Sequence, residues 1–135
     1  MAVQLSAAVR NARLDAIETA AGASAILKIR TGAQPAFCVT ADSGTVLATL
    51  NLPADYMAAA ASGAASKTGT WEDASADAAG TAGHFRLYAS DGTTCHMQGT
   101  VTATAGGGDL ELNNVVLAAG QTVTITSFTI TDGNA

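Results

Sequence analysis

The strongest constraint on the fold is a two-residue alternation of apolar and polar side chains that turn residues interrupt repeatedly. Successive side chains of a strand point to opposite faces of its sheet, so this alternation indicates half-buried strands. About eight such segments follow Gly22, with turn signals such as Asp42-Ser43-Gly44 roughly every 8–14 residues. This spacing favours antiparallel strands over βαβ units. We therefore expect a mainly β protein, an antiparallel β-sandwich or jelly-roll-like body formed by one domain, 23–135.

A helical period precedes the first strand. Over residues 4–21, apolar side chains recur three or four positions apart, which predicts one N-terminal α-helix that Gly22 ends. The charges of this helix oppose its dipole, because its two arginines come early whereas Asp15 and Glu18 come late. Something outside the helix must therefore stabilise it, either the body of the domain or another chain.

We interpret residues 1–22 as a docking arm, with a helix packed on its own domain as the alternative. The arm would contact other subunits through an apolar stripe and two cations. The residues of this hypothetical interface are Leu5, Val9, Arg10, Arg13 and Ile17.

The best-defined β unit is a hairpin over 83–102. Reading 90–92 as a three-residue loop, with Gly92 in the left-handed region, fixes the register. The predicted facing pairs are Leu87 with Cys95 and Phe85 with Met97. All four apolar side chains then share one face, because a slip by one residue would expose one strand's apolar set.

The remaining segments are short. We expect strands at 25–30, 37–40, 45–52, 68–72, 110–117 and 121–131. The last of these changes phase, which predicts a β-bulge near Ser127. The alanine-rich segment 54–66 stays open between a helical turn and a loop.

The candidate metal ligands are His84, Cys95 and His96, but the predicted register separates them. Cys95 points to the face opposite both histidines, and Arg86 lies opposite His96, so three ligands do not converge. We expect ordinary surface histidines, with no metal and no cofactor. Cys38 and Cys95 are expected to be small, buried and inert free thiols.

Catalysis has no clear support in the sequence. No G-x-S-x-G nucleophile motif occurs, and sequence neighbours such as Cys95 and His96 face opposite ways on a strand. The acidic residues Glu72 and Asp73 border a loop of small residues. Carboxylates in such a loop are usually solvated and not catalytic. We therefore expect that the protein is not an enzyme.

Composition limits the partners. Six Lys and Arg against eleven Asp and Glu give a net charge of -5, which disfavours nucleic acid as a partner. No apolar run reaches the length of about 20 residues that a membrane helix needs, so we expect no membrane partner. The N-terminus has no signal-peptide pattern, which predicts synthesis and retention in the cytoplasm. As possible sugar platforms the chain offers Trp71, Tyr56 and Tyr88.

Five segments resemble small virion structural proteins of tailed bacteriophages. They are ARLDAIET at 12–19, IRTGAQPA at 29–36, TVLATL at 45–50, AGTAGHFR at 79–86 and GQTVTIT at 120–126. The resemblance implies a virion protein made in the cytoplasm of a bacterial host, and it carries over no functional residue. Head decoration (cement) proteins, neck or collar components, and tail or fibre parts all belong to this class.

From this resemblance we expect a head decoration protein that binds the capsid shell by multivalent contacts. Its partners would be copies of itself, in a homo-oligomer, and other virion proteins, above all the major capsid protein. The alternative is a neck, tail or fibre component, including an adhesion or glycan-binding module.

Overall fold

The computed structural model describes residues 3–133 and shows a mainly β chain. Within these residues one helix, α1 (Ala7–Ala21), precedes ten strands. The strands are β1 (Ile26–Thr31), β2 (Val46–Asn51), β3 (Ala64–Ser66), β4 (Trp71–Asp73), β5 (Gly80–Tyr88), β6 (Cys95–Ala103), β7 (Leu110–Leu112), β8 (Val116–Leu117), β9 (Val123–Ile125) and β10 (Thr129–Thr131). The expectation of a mainly β protein with one N-terminal helix is confirmed at this level.

A curled main sheet forms the body, with the strand order β2-β1-β5-β6-β7 and with β8 paired to the start of β5. Two small sheets, β10-β3 and β4-β9, lie beside it. All pairs are antiparallel except β6 and β7, which run parallel. Antiparallel pairing therefore dominates, as the turn spacing predicts, but one parallel pair departs from it.

The parallel pair depends on the glycine loop 104–109. Parallel neighbours usually need a crossover of a dozen or more residues, whereas this loop folds straight back beside β6. The Gly108 N–H donates to Thr102 Oγ1 at 3.0 Å, and the Asp109 carboxylate accepts from the N–H and hydroxyl of Thr100, both at 2.8 Å. Side-chain hydrogen bonds thus hold the turn that brings β7 alongside β6.

The core lies on the inner face of the main sheet. Leu27 and Ile29 of β1 and Phe85 of β5 are buried there. Phe128 contacts both Phe85 and Trp71, with 5.6 Å between ring centroids in each pair. Each large apolar side chain buried in this way stabilises the fold by about 1.5–3 kcal/mol.

The helix begins and ends at recognisable capping residues. Its N-cap is Ser6, whose hydroxyl accepts from the Val9 N–H at 3.3 Å, so the helix starts later than residue 4. Gly22 ends it with φ +80°, and its N–H donates to the Glu18 carbonyl at 2.8 Å, which confirms the predicted stop. Leu14 and Ala21 are the buried residues of the helix.

The body of the domain supplies the external stabilisation that the charge order of the helix requires. The carboxylates of Asp15 and Glu18 accept from the N–H groups of Ala60, at 2.8 Å, and Tyr56, at 2.7 Å. Asn11 accepts from the Gly63 N–H in the same way, at 2.8 Å. Segment 54–66 contains no helical turn: it is irregular up to residue 63 and ends in β3, and side chains of α1 satisfy several of its backbone donors.

The two early arginines bind the other end of the chain. Arg10 donates to the Asp132 carbonyl at 3.1 Å, and Arg13 lies 3.3 Å from the Asp132 carboxylate. Each charge that is unfavourable for an isolated helix therefore has a partner in the folded domain.

The predicted register of the hairpin is wrong. Leu87 pairs with Met97 and Phe85 with Gly99, whereas Cys95 lies opposite Tyr88 after an irregularity. The loop is longer than three residues, because Ala89 donates to the Thr94 carbonyl and the Asp91 carboxylate accepts from Thr93 and Thr94. Gly92 is left-handed as expected, with φ +68°. The partner of Leu87 moves by two positions, so Leu87 and Met97 still share a face. Cys95 lies on the outer face, beside Asp42 and Arg86, so the prediction that it shares the inner face is wrong.

Two further local predictions are also wrong. Segment 37–40 is a turn and not a strand. The expected bulge near Ser127 is a break instead, since β9 pairs with β4 whereas β10 pairs with β3. The apolar alternation changes phase here because the chain leaves one small sheet and enters the other. Ile125 and Phe128 can therefore both be buried.

Replacing Glu18 by alanine tests the attachment of the helix. The Glu18→Ala variant loses the acceptor for the Tyr56 and Met57 N–H groups, and we expect it to lose about 1.5–3 kcal/mol of unfolding free energy. Urea unfolding followed by the fluorescence of the single, buried Trp71 measures this loss. Glu72→Ala is the matched control, because Glu72 is exposed and accepts from the Thr124 hydroxyl at the surface. Equal losses in the two variants would contradict the role of Glu18.

Candidate functional site: an anchored loop with an apolar tip

The loop 32–44 covers the outer face of the main sheet, and we call it the anchored loop. Beneath it, the register places Lys28 beside Arg86 and Arg30 beside His84. His84 and Arg86 are 0% and 1% exposed, so the expectation of a surface histidine is wrong for His84. The physical reason is that the loop lies over the face that alternation alone assigns to solvent.

Arg86 binds the middle of the anchored loop. Its guanidinium donates to the carbonyls of Thr40, at 3.1 Å, and Phe37, at 3.4 Å, as well as to that of Cys38. It also binds the carboxylate of Asp42. A buried guanidinium requires such acceptors, because an unpaired charge in the interior costs several kcal/mol. The loop therefore takes the shape that surrounds this side chain.

Asp42 joins three side chains of the sheet. Its carboxylate accepts from Arg30 and from the Tyr88 hydroxyl, both at 2.7 Å, and from Arg86. Partial burial acts to raise the pKa of Asp42, but the Tyr88 hydrogen bond and the two guanidiniums outweigh it and lower the pKa below its ordinary value. Burial, together with the hydrogen bond to Asp42, raises the pKa of Tyr88 to about 12. At neutral pH the Asp42 carboxylate is therefore an anion that is bound by two guanidiniums and by the neutral phenol of Tyr88.

Two further side chains fix the first part of the loop. His84 Nδ1 lies 2.9 Å from the Gly32 carbonyl, and it must donate because a carbonyl only accepts. His84 Nε2 has no hydrogen-bond partner within the described residues. Gln98 donates to the Pro35 carbonyl at 2.6 Å. Hydrogen bonds from the sheet thus reach the loop near its start, middle and end.

The tip of the anchored loop is apolar and faces solvent. Phe37 is 69% exposed and Val39 is 95% exposed, although their backbone neighbours are held by Arg86. Single exposed apolar residues are common, but two on a firmly held turn form a small apolar surface that a partner can cover without first ordering the loop. This arrangement suits binding, because the charged groups below the tip are already paired with one another.

The two cysteines meet at the side of this loop. Cys38 lies between the two tip residues, and Cys95 begins β6, where its thiol donates to the Met97 carbonyl at 3.3 Å. Both line a cavity of about 400 Å³ together with Asp42 and Arg86. Burial, and then the neighbouring Cys95, raises the pKa of the Cys38 thiol. Both cysteines are free thiols, and both are half-buried, which corrects the expectation that they are buried.

The predicted interface residues of the helix do not form a single patch. Val9, 46% exposed, and Arg13 face solvent. Arg10 is half-buried against the body, and Leu5 is half-buried as well. Ile17 lines a cavity of about 590 Å³ between α1, β6 and β10. Only the outward face of the helix therefore remains open to another chain.

Other sequence candidates occupy places that restrict their chemistry. Over residues 3–133 no group of three or more His, Cys, Asp or Glu side chains is placed to hold a metal ion. The side chains of Trp71, Tyr56 and Tyr88 are buried, so their rings offer no platform for a sugar. The described part of the chain contains no helix that is long and apolar enough to cross a membrane.

One signal in the sequence could have indicated the anchored loop. The chain has only six Lys and Arg, and three of them, Lys28, Arg30 and Arg86, fall on the same face of neighbouring strands. Such clustering on one face suggests a shared anion, and Asp42 lies in the turn-rich segment that follows β1. The three cations can be assigned to one face only when the pairing of β1 with β5 is known.

Comparisons of the chain with protein-family models, with curated proteins and with solved structures found no match.

The Asp42→Asn substitution tests the electrostatic anchor. It removes the charge that faces two guanidiniums, and we expect a loss of about 2–4 kcal/mol at pH 7, less than for a fully buried pair because the Asp42 side chain is 36% exposed. The lowered folded-state pKa means that this stability is present above the unfolded-state pKa of about 3.9 and is lost as the pH falls through the folded value.

Unfolding free energies measured by urea titration from pH 7 to pH 2 test this dependence. The gap between the wild type and Asp42→Asn should stay constant down to about pH 4 and narrow below it. Asp55→Asn, at an exposed position, serves as the control and should show little gap at any pH. A gap that persists unchanged at pH 2 would contradict the ion-pair assignment.

Proposed function

We propose that this chain is a non-enzymatic structural protein of a tailed-bacteriophage virion, a head decoration protein that binds the shell formed by the major capsid protein. The class comes from the resemblance of five sequence segments. The observation that carries the binding role is the exposed pair Phe37 and Val39 on a loop that buried side chains hold in place.

The physics of the loop suits a docking element. Ordering a flexible loop on binding costs about 0.5–1.5 kcal/mol for each immobilised side chain, and a loop fixed beforehand avoids most of this cost. Burying a phenyl and an isopropyl group then contributes about 1.5–3 kcal/mol each. Such a contact is weak alone, but many copies on a symmetric shell raise the effective concentration of each site.

The proposed oligomer uses a different surface. Val9 and Arg13 lie on the outward face of α1, where a sister subunit or another virion protein would dock. In this proposal the curled sheet and the two small sheets form the β-sandwich or jelly-roll-like body that presents the two surfaces. The same surfaces would serve a neck, tail or fibre component, so binding to shells rather than to tails is the decisive observation.

Cosedimentation with purified shells that lack this protein tests the docking role of the loop. The wild-type chain should bind the shells saturably, and the double variant Phe37→Ser, Val39→Ser should bind at least about tenfold more weakly, because two apolar anchors are lost. Val116→Ser is the matched control, since Val116 is 60% exposed on another part of the surface. Full binding by the double variant would remove the loop from the interface, and binding to tails alone would favour the alternative location.

A point substitution on the helix is a cleaner test of the docking arm than deletion of residues 1–22. Deletion would expose the N–H groups that Asn11, Asp15 and Glu18 satisfy, so it would unfold the body whatever the helix contacts. Val9→Asp leaves those hydrogen bonds intact. We expect it to weaken self-association, measured by sedimentation velocity, with an unchanged melting temperature; unchanged association would remove Val9 from the interface.

A further inference from the structure

The two cysteines lie beside one cavity, and the anchored loop decides the position of one of them. Arg86 fixes the backbone of Cys38 through its carbonyl, and Cys95 opens the strand β6 that pairs with the strand carrying Arg86. Both cysteines line one open cavity of about 400 Å³, and they lie close enough for Cys95 to raise the pKa of the Cys38 thiol. Both side chains are half-buried, so a small reagent in solution can reach them.

We propose that Cys38 and Cys95 are a disulfide-forming site that closes by exchange with a low-molecular-weight disulfide such as oxidised glutathione. One cysteine sulfur, as the thiolate, attacks the reagent disulfide, forms a mixed disulfide and releases one reagent thiolate. The second cysteine loses its proton and attacks the protein-bound sulfur, which forms the Cys38–Cys95 bond and releases the second reagent thiolate. The protein is oxidised by two electrons, and the reagent disulfide is reduced to two thiols.

The bond would tie the tip of the loop to the sheet covalently. It would close a long stretch of chain, 38–95, and restrict the unfolded ensemble, which is how cross-links of long loops stabilise proteins. It would also limit the movement of Phe37 and Val39, the neighbours of Cys38. The bond adds a covalent restraint at the place where the hydrogen bonds of Arg86 already hold the backbone.

The setting in which the bond would form rests on the proposed function, whereas the chemistry does not. Thiols remain reduced in the cytoplasm where a virion protein is made, and disulfides persist outside the cell. A particle released by lysis would pass from the first environment to the second. The pair would then lock the docking loop after assembly.

Treatment of the purified full chain with oxidised glutathione tests the proposal. We expect the loss of both free thiols, a mass lower by two hydrogen atoms, and a peptide that links Cys38 to Cys95 after proteolysis. The melting temperature should rise by about 5–15 °C and return on addition of a reducing agent. The Cys38→Ser and Cys95→Ser variants should instead stop at a stable glutathione adduct, with no such rise.

Three outcomes would overturn the proposal: two thiols that stay unreacted, a wild-type chain that carries two glutathione adducts without a cross-link, or disulfides only between chains. None of them bears on shell binding, which the Phe37 and Val39 variants measure in the reduced protein. If those variants lose shell binding and the cross-link fails to form, the proposed function stands and the disulfide site does not. If they bind shells fully and the cross-link forms, the disulfide site stands and the docking role of the loop does not.

Discussion

A guanidinium that is almost fully buried is the constraint on which the outer half of the structure depends. Arg86 belongs to a strand that pairs on both sides, and the anchored loop that crosses its outer face removes the guanidinium from solvent. Its charge needs oxygen acceptors at short distance, and the loop carbonyls and Asp42 supply them. This requirement accounts for the position of residues 37–42 of the loop, while His84, Gln98 and Arg30 hold its two ends.

The inner half of the structure uses the same physical solution on a smaller scale. The carboxylates of Asp15 and Glu18 face backbone N–H groups of a segment that has little strand pairing of its own. The segment is rich in alanine, but the side chains of Tyr56 and Met57 are buried, so both this burial and the carboxylates of α1 hold it in place. The carboxylates of the helix therefore attach this segment to α1 and make the helix part of the domain. The outward face of the helix remains free for another chain.

Local patterns predicted the elements better than they predicted their partners. Gly22 ends the helix and Gly92 adopts the left-handed turn conformation because both signals act over a few residues. The partner of Leu87 was missed by two positions, since Asp91 binds two following N–H groups and lengthens the turn. The anchored loop was missed because alternation assigns the outer face of a strand to solvent and contains no information about a loop that crosses it.

The sequence by itself determined the β class, the N-terminal helix, the positions of most strands and most of the apolar residues of the inner face, but not that Cys95 lies on the outer one. These depend on periodicity and turn chemistry, which neighbours along the chain decide. Only the tertiary structure decided that His84 and Arg86 are buried, that Asp42 joins two cations, and that Cys38 and Cys95 line the same cavity. Those features join residues that are separated along the chain, by 12 positions for Arg30 and Asp42 and by 44 for Arg86 and Asp42. Their interaction energies arise only in the folded chain, where loss of solvent makes each buried charge depend on its partner.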